Sequence, residues 1–230
     1  MFICVMLSVM ATPYQAGIDD ASWKPLFNGK NYAGFVFWII GGPERSFDAD
    51  HECMILHPIP KGRVYQTENI FQVTEDDHLS QKPLAGVVYT RQQYKNYELK
   101  YEWKYERPAD LKKDDDFTGN SGVFLYQTRI LKTWPQSIEV EGRYLDAGQL
   151  LLHGKAHGEF TDYPVARKEA RKPVGQWNET HVQCAEGKIK VMLNGKLVAE
   201  GTTDQREGSI GFQAAGATIY YRNIKVKELK

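Results

Sequence analysis

The stretch YELKYEWKYE, residues 97–106, alternates without a break. Tyr97, Leu99, Tyr101, Trp103 and Tyr105 fall on one face, and Glu98, Lys100, Glu102, Lys104 and Glu106 on the other. A period of two over this length is the pattern of a strand with one dry and one wet face. The same period recurs outward along the chain. KIKVMLNGKLVAEG (188–201) reads as a hairpin with Asn194-Gly195 at its tip, the residue pair that a tight two-residue turn demands. SGVFLYQT (121–128) is a mostly apolar run behind Gly119-Asn120 and reads as a turn entering a buried strand. WNETHVQCAEG (177–187) adds one strand, and GSIGFQAAGATIYYRNIKVKEL (208–229) adds two around residues 214–216. Helical periodicity is almost absent. Short strands separated by turn residues predict an all-β sandwich or jelly roll, one domain over residues 18–230 without a linker. The least regular stretches, 41–69 and 146–176, are long enough to read as functional loops.

Composition narrows the function. The chain has 230 residues, with Lys+Arg 29 balanced by Asp+Glu 29. Zero net charge gives no footing for a nucleic-acid partner or an anionic membrane. Aromatic residues make up 12 %, which suits strand cores and equally suits stacking on sugar faces. The three cysteines, Cys4, Cys53 and Cys184, have no metal-binding spacing. The opening MFICVMLSVMA is apolar but too short to span a membrane. With the small residues that follow, 1–17 reads as a secretion leader lacking its basic start, the alternative being a hydrophobic strand. The leader reading places the protein in the periplasm or outside the cell.

One strand carries chemistry. In SIEVEGRY (137–144), Ile138 and Val140 point one way, and Glu139, Glu141 and Arg143 the other. Two carboxylates about 7 Å apart on one face raise each other's pKa unless a cation intervenes, a standard way to hold an acid and a base near neutrality. The bland reading is a solvated face with cross-strand ion pairs. That reading suits Glu98, Lys104 and Glu106 better than the close pair Glu139 and Glu141.

The segments LFNGKNYAGF (26–35), GVVYTRQQYKNYELKYEWK (86–104), GNSGVFL (119–125) and SIEVEGRYLD (137–146) together resemble the bacterial 3-keto-disaccharide hydrolase domain family. KPVGQWNETHVQCAEGKIKVMLNGKLV (172–198) and the closing 208–229 segment extend the resemblance, which runs from about residue 23 to residue 229 in the family's order. It implies a concanavalin A-like lectin/glucanase jelly roll of two antiparallel sheets. It also implies cleavage of the glycosidic bond of 3-keto-glycosides, by direct hydrolysis or by elimination followed by hydration. Asn120 and Ser121 at GNSG, Glu139 in the carboxylate strand, and Trp177-Asn178 carry over. Asn120 and its glycines equally suit a plain tight turn, and Trp177 suits the core better than a sugar platform. Asn178-Glu179-Thr180 is a formal glycosylation sequon, read as coincidence. Two features depart from the pattern. Arg143 stands where glucanases of this general fold place a second carboxylate, and the 43–69 insert fits the family poorly.

In HGKAHGEFTD (153–162), His153, His157, Glu159 and Asp162 are ligand types in close sequence, but Gly154 and Gly158 argue against a helix and for a polar loop. His157 is chosen as base or substrate contact because free imidazole titrates near neutrality. Asp114, Asp115 and Asp116 lack the alternation of a calcium loop and read as a solvated acidic turn. No cofactor is required by this reading, although a divalent metal stays open. The expectation is a carbohydrate-active enzyme on an oligosaccharide or glycoside. Glu139, Glu141 and His157 do the chemistry, while Glu102, Asn120, Tyr126 and Arg143 bind substrate. The rival readings are a non-catalytic carbohydrate-binding, lectin-like domain and a structural surface domain.

Overall fold

A computed structural model describes residues 22–38, 45–46, 71–73, 79–81, 86–128, 130–131 and 134–230. Its strands are β1 (Lys24–Pro25), β2 (Phe35–Trp38), β3 (Arg45–Ser46), β4 (Phe71–Val73), β5 (Leu79–Gln81), β6 (Gly86–Thr90), β7 (Tyr97–Tyr105), β8 (Asn120–Gln127) and β9 (Ile130–Leu131). They continue as β10 (Ser137–Glu141), β11 (Leu150–His153), β12 (Gly158–Asp162), β13 (Asn178–Ala185), β14 (Lys188–Leu193), β15 (Lys196–Thr203), β16 (Ser209–Ala215) and β17 (Ile219–Glu228). One short helix, α1 (Pro164–Ala170), lies between β12 and β13.

Two antiparallel sheets form the jelly roll. The first has nine strands in the order β12-β15-β14-β13-β7-β17-β5-β4, with β1 on β17. The second has six, in the order β11-β10-β8-β16-β6-β2. Their facing sides fill one core. Leu99, Tyr101, Val182, Val191 and Val226 come from the nine-stranded sheet, and Val123, Leu125, Ile138, Val140 and Phe212 from the six-stranded one. β7 follows its sequence pattern residue by residue, with odd positions buried and even positions half-exposed. The 188–201 hairpin forms as expected, with Asn194 and Gly195 at φ 47° and 83°, the left-handed values that the turn requires.

One expectation is corrected. Residues 146–176 are not an irregular loop, because β11, β12 and α1 lie inside them. Strands β7 and β10 lie in different sheets, so the two charged rows lie on opposite sides of the molecule. The 41–69 stretch lies outside the described residues, apart from the backbone of β3. Among the described residues no helix is long and apolar enough to cross a membrane. Cys4 and Cys53 also lie outside them, whereas Cys184 is a buried free thiol.

Candidate active site

The six-stranded sheet has a second buried face, pointing away from the sandwich core. Val36, Trp38, Val87, Tyr89 and Phe124 cluster there, each the alternate of a core residue on its own strand. On β10 the same alternation sends Glu139 and Glu141 to this face. They are not solvated: Glu139 is 3 % exposed and Glu141 7 %. A buried carboxylate must find partners, because desolvation of an unpaired charge costs several kcal/mol.

Glu139 finds His153. The imidazole Nε2 and the carboxylate Oε2 are in direct hydrogen-bond contact. The register places them there. Ser137 pairs with His153 and Glu139 with Leu151, so the histidine is the diagonal neighbour of the glutamate on the same face. The ring is fixed on two further sides. Trp134 stacks on it at 4.8 Å with an interplanar angle of 13°. Phe124 meets it edge-on at 5.7 Å. On the other flank the Glu139 carboxylate lies over Gly122, where an added Cβ would stand 1.9 Å from Oε1. Gly122 is therefore no turn residue. It sits in β8, opposite Glu141, and its missing side chain is the room that Glu139 uses.

Glu141 is bound differently. Its Oε1 accepts the Arg143 backbone N–H at 2.7 Å. Burial pushes its pKa above the usual carboxylate range, and the neighbouring Glu139 charge adds to that. The Arg143 N–H and guanidinium offset part of the shift. That guanidinium is itself paired with Asp146 at 2.7 Å, because β10 ends at Glu141 and the chain turns. Gln213 pairs with Gly122 from the other side and is 2 % exposed. Asn120 shares the alternation of Gly122 and Phe124. Its buried Oδ1 has no hydrogen-bond partner among the described residues, and neither do Trp38 Nε1 and Gln127 Oε1. A face that combines a carboxylate–imidazole pair, a second carboxylate of raised pKa and unpaired amide groups can move protons and hold hydroxyls.

Glu139, Glu141 and Asn120 thus come together, with the Arg143 backbone beside them. Three expected site residues do not join them. His157 is exposed in the turn after β11, its N–H donating to Asp204 Oδ1 at 3.0 Å and its carbonyl accepting from the Thr203 hydroxyl. Glu102 lies on the outer face of the nine-stranded sheet, paired with Arg222 at 2.6 Å and with Asn223 at 3.1 Å. Tyr126 is buried in the core against Tyr97 at 5.8 Å. A bulge turned it inward: β16 spends two residues, Ser209 to Gly211, where β8 spends three, Phe124 to Gln127, and Tyr126 takes φ 54°.

Other residues also take structural parts. Ser121 faces the core and bonds Tyr221 of the opposite sheet at 2.7 Å. Trp177 is a half-buried surface residue between Lys104 and Arg222, not part of the core. Asn178 is 1 % exposed, its Oδ1 accepting from the Lys172 N–H and the Asn194 amide, so it is no glycan acceptor. Asp114 holds Arg107, the Val174 N–H at 3.0 Å and the Tyr144 hydroxyl at 3.3 Å, which makes it an anchor of the 107–117 loop. Among the described residues, no group of three or more ligand-type side chains is placed to hold a metal ion.

Trp134 and Gln213 were missed at the sequence level, while His153 was named there only as a metal-ligand type and Gly122 only as a turn residue. His153 had a readable signal, since LLLH (150–153) can alternate as a strand that sets the histidine opposite Ser137.

Residues 22–227 match the 3-keto-alpha-glucoside-1,2-lyase-like domain family over nearly their whole span. The chain belongs to this family. As a 3-keto-glucoside-lyase-like domain it is carbohydrate-related. It is also similar to two solved structures from Parabacteroides distasonis ATCC 8503, both described as candidate glycosyl hydrolases. One is 18 % identical with a TM-score of 0.58, covering 91 % of this chain and 95 % of that one. The other is 22 % identical with a TM-score of 0.56, covering 90 % and 99 %. At these identities they establish the shared fold. No functionally curated protein matches the lyase-like chain in sequence.

Proposed function

We propose that the protein cleaves the glycosidic bond of 3-keto-glycosides by elimination, on the outer face of the six-stranded sheet. The observation that carries this is the buried contact between Glu139 and His153, with Glu141 one residue pair away on the same face.

The chemistry follows from the substrate. A ketone at carbon 3 acidifies the proton on carbon 2. His153 donates its Nε2 proton to the Glu139 carboxylate, which leaves the second ring nitrogen basic and fixes the tautomer. That nitrogen takes the carbon-2 proton. The electron pair of the broken C–H bond passes to the enolate oxygen and returns to form the carbon 1–carbon 2 double bond as the bond from carbon 1 to the leaving oxygen breaks. Glu141, whose pKa is raised by burial and by the Glu139 charge, is the acid that supplies the proton to the leaving oxygen. Asn120 and Gln213 offer amide donors to the carbonyl oxygen as charge develops there. The products are an unsaturated keto-sugar and an alcohol. Water added across the new double bond makes the sum a hydrolysis.

The test is turnover of a 3-keto-glucoside with a chromogenic leaving group, beside its unoxidised parent, with and without chelator. Release from the keto compound alone, unaffected by chelator, is expected. Release from both at similar rates would replace elimination by ordinary two-carboxylate hydrolysis. Binding of the keto compound without release would leave a lectin-like function.

A further inference from the structure

The outer face of the nine-stranded sheet carries a cavity of about 440 Å³, walled by Trp23, Lys100, Glu102, Glu179, Asn223 and Lys225. Small-molecule sites run from about 300 to 1,000 Å³. This face lies on the far side of the sandwich from Glu139 and His153, and the proposed elimination makes no use of it.

Its charges are sorted rather than matched. Lys225 of β17 stands directly opposite Lys100 of β7, and Glu179 of β13 directly opposite Glu102 of β7. Like charges directly opposite one another destabilise a sheet. Neighbouring positions do the reverse, since Arg222 faces Glu102 and Lys227 faces Glu98. Arg222 neutralises Glu102 at 2.6 Å. Lys100, Lys225 and Glu179 form no ion pair among the described residues. Lys100 rests instead on the Trp23 indole, its Nζ 5.0 Å from the ring centre. His181, the other cross-strand neighbour of Lys100, is bonded to Glu98 at 2.7 Å.

A bulge creates this arrangement. β17 spends three residues, Arg222 to Lys225, where β7 spends two, Glu102 to Lys100. The extra residue, Asn223, takes φ 51° and donates its Nδ2 to Glu102 Oε1 at 3.1 Å. Without it, Ile224 would stand opposite Lys100 and Lys225 would point into the core. The cavity therefore has one wall of two uncompensated ammoniums, one of carboxylates, and an indole beside them.

We propose that this cavity is a second, non-catalytic site, which binds a sugar bearing an acid group. The acid lies between the Lys100 and Lys225 ammoniums and relieves their repulsion. Glu102 and Glu179, as acceptor-only groups, take the hydroxyls of the sugar. Trp23 walls the ring at low entropic cost. A neutral sugar would leave the lysines unpaired, and a bare anion would fill the cationic wall while facing Glu179.

Calorimetric titration of the whole chain with D-glucuronate, D-glucose 6-phosphate, D-glucose and acetate tests the site. At least one acid sugar should bind about tenfold more tightly than glucose, and acetate should not bind measurably at the same concentrations. Whether glucuronate or the phosphate is the tighter ligand names the acid group. Lys225→Gln and Glu179→Gln should each weaken that ligand about tenfold, whereas Glu139→Gln, in the other sheet, should leave it unchanged. Glucose or acetate binding as tightly as the acid sugars, equal binding by wild type and Lys225→Gln, or no binding at all would overturn the site. Melting curves add a second readout. Without ligand, Lys225→Gln should melt at the wild-type temperature or up to about 3 °C above it, because a like-charge contact is removed. A lower melting temperature would show that this lysine already has a structural partner, and would overturn the site. Neither readout needs turnover, so both stand whatever the keto-glucoside assay returns.

Discussion

The Glu139 carboxylate occupies the space in which residue 122 would carry a side chain, with Oε1 only 1.9 Å from the position of an added Cβ. The glycine of GNSG and the first glutamate of SIEVEGRY are thus two halves of one feature, contributed by neighbouring strands β8 and β10.

Gly122→Ala is therefore expected to push Glu139 off His153. Overpacking of this kind costs about 1–3 kcal/mol, and a displacement of about 1 Å in a catalytic group costs about 100-fold in rate. Thermal melting and kcat on a 3-keto-glucoside measure both. An alanine variant with wild-type kcat would show that the carboxylate has no fixed place in the reaction.

Glu139→Gln and His153→Gln should each lower kcat by about 100- to 10,000-fold, the range for removing a general base or its partner. Glu102→Gln and His157→Asn should leave kcat unchanged, because neither side chain lies on the catalytic face. Circular dichroism confirms the fold in all four. Loss of activity in His157→Asn, with activity kept in His153→Gln, would reverse the assignment.

The raised pKa of Glu141 makes a prediction about stability. The folded protein holds this proton more tightly than the unfolded chain does, so stability falls as pH rises from the unfolded value through the raised folded one. Glu141→Gln removes that loss and keeps an acceptor for the Arg143 N–H. The melting temperature of the variant, relative to wild type, should rise between acid and neutral pH. A difference that stays constant with pH would mean that folding does not shift the Glu141 pKa.

Cys184 should be inert in the native protein. Burial pushes its thiol up to about 12, between the Tyr97 and Tyr126 hydroxyls. Alkylation at pH 8 followed by peptide mapping should leave Cys184 unmodified until denaturant is added. Rapid native labelling at Cys184 would show that the core between β7, β8 and β13 opens readily.

The sequence by itself determined the strands and their inward faces. The alternation of 97–106, the Asn194-Gly195 turn and the parity of Ile138 and Val140 are local properties, set by backbone geometry and by which side chains water rejects. Glu139 and Glu141 were legible for the same reason, because neighbours two apart on one strand share a face whatever the strand packs against. The family resemblance extended this to the jelly roll.

Tertiary structure alone decided who meets the glutamates. Glu102 and Glu139 carry the same local signal, but hydrogen-bond pairing put β7 and β10 in different sheets. His153 and His157 are four residues apart, and only the register of β11 on β10 brings the first to Glu139 while the turn carries the second away. One extra residue in β8 rotated Tyr126 from the site into the core. Sheet order, register and bulges are settled by contacts between residues far apart in sequence, and no local pattern contains them.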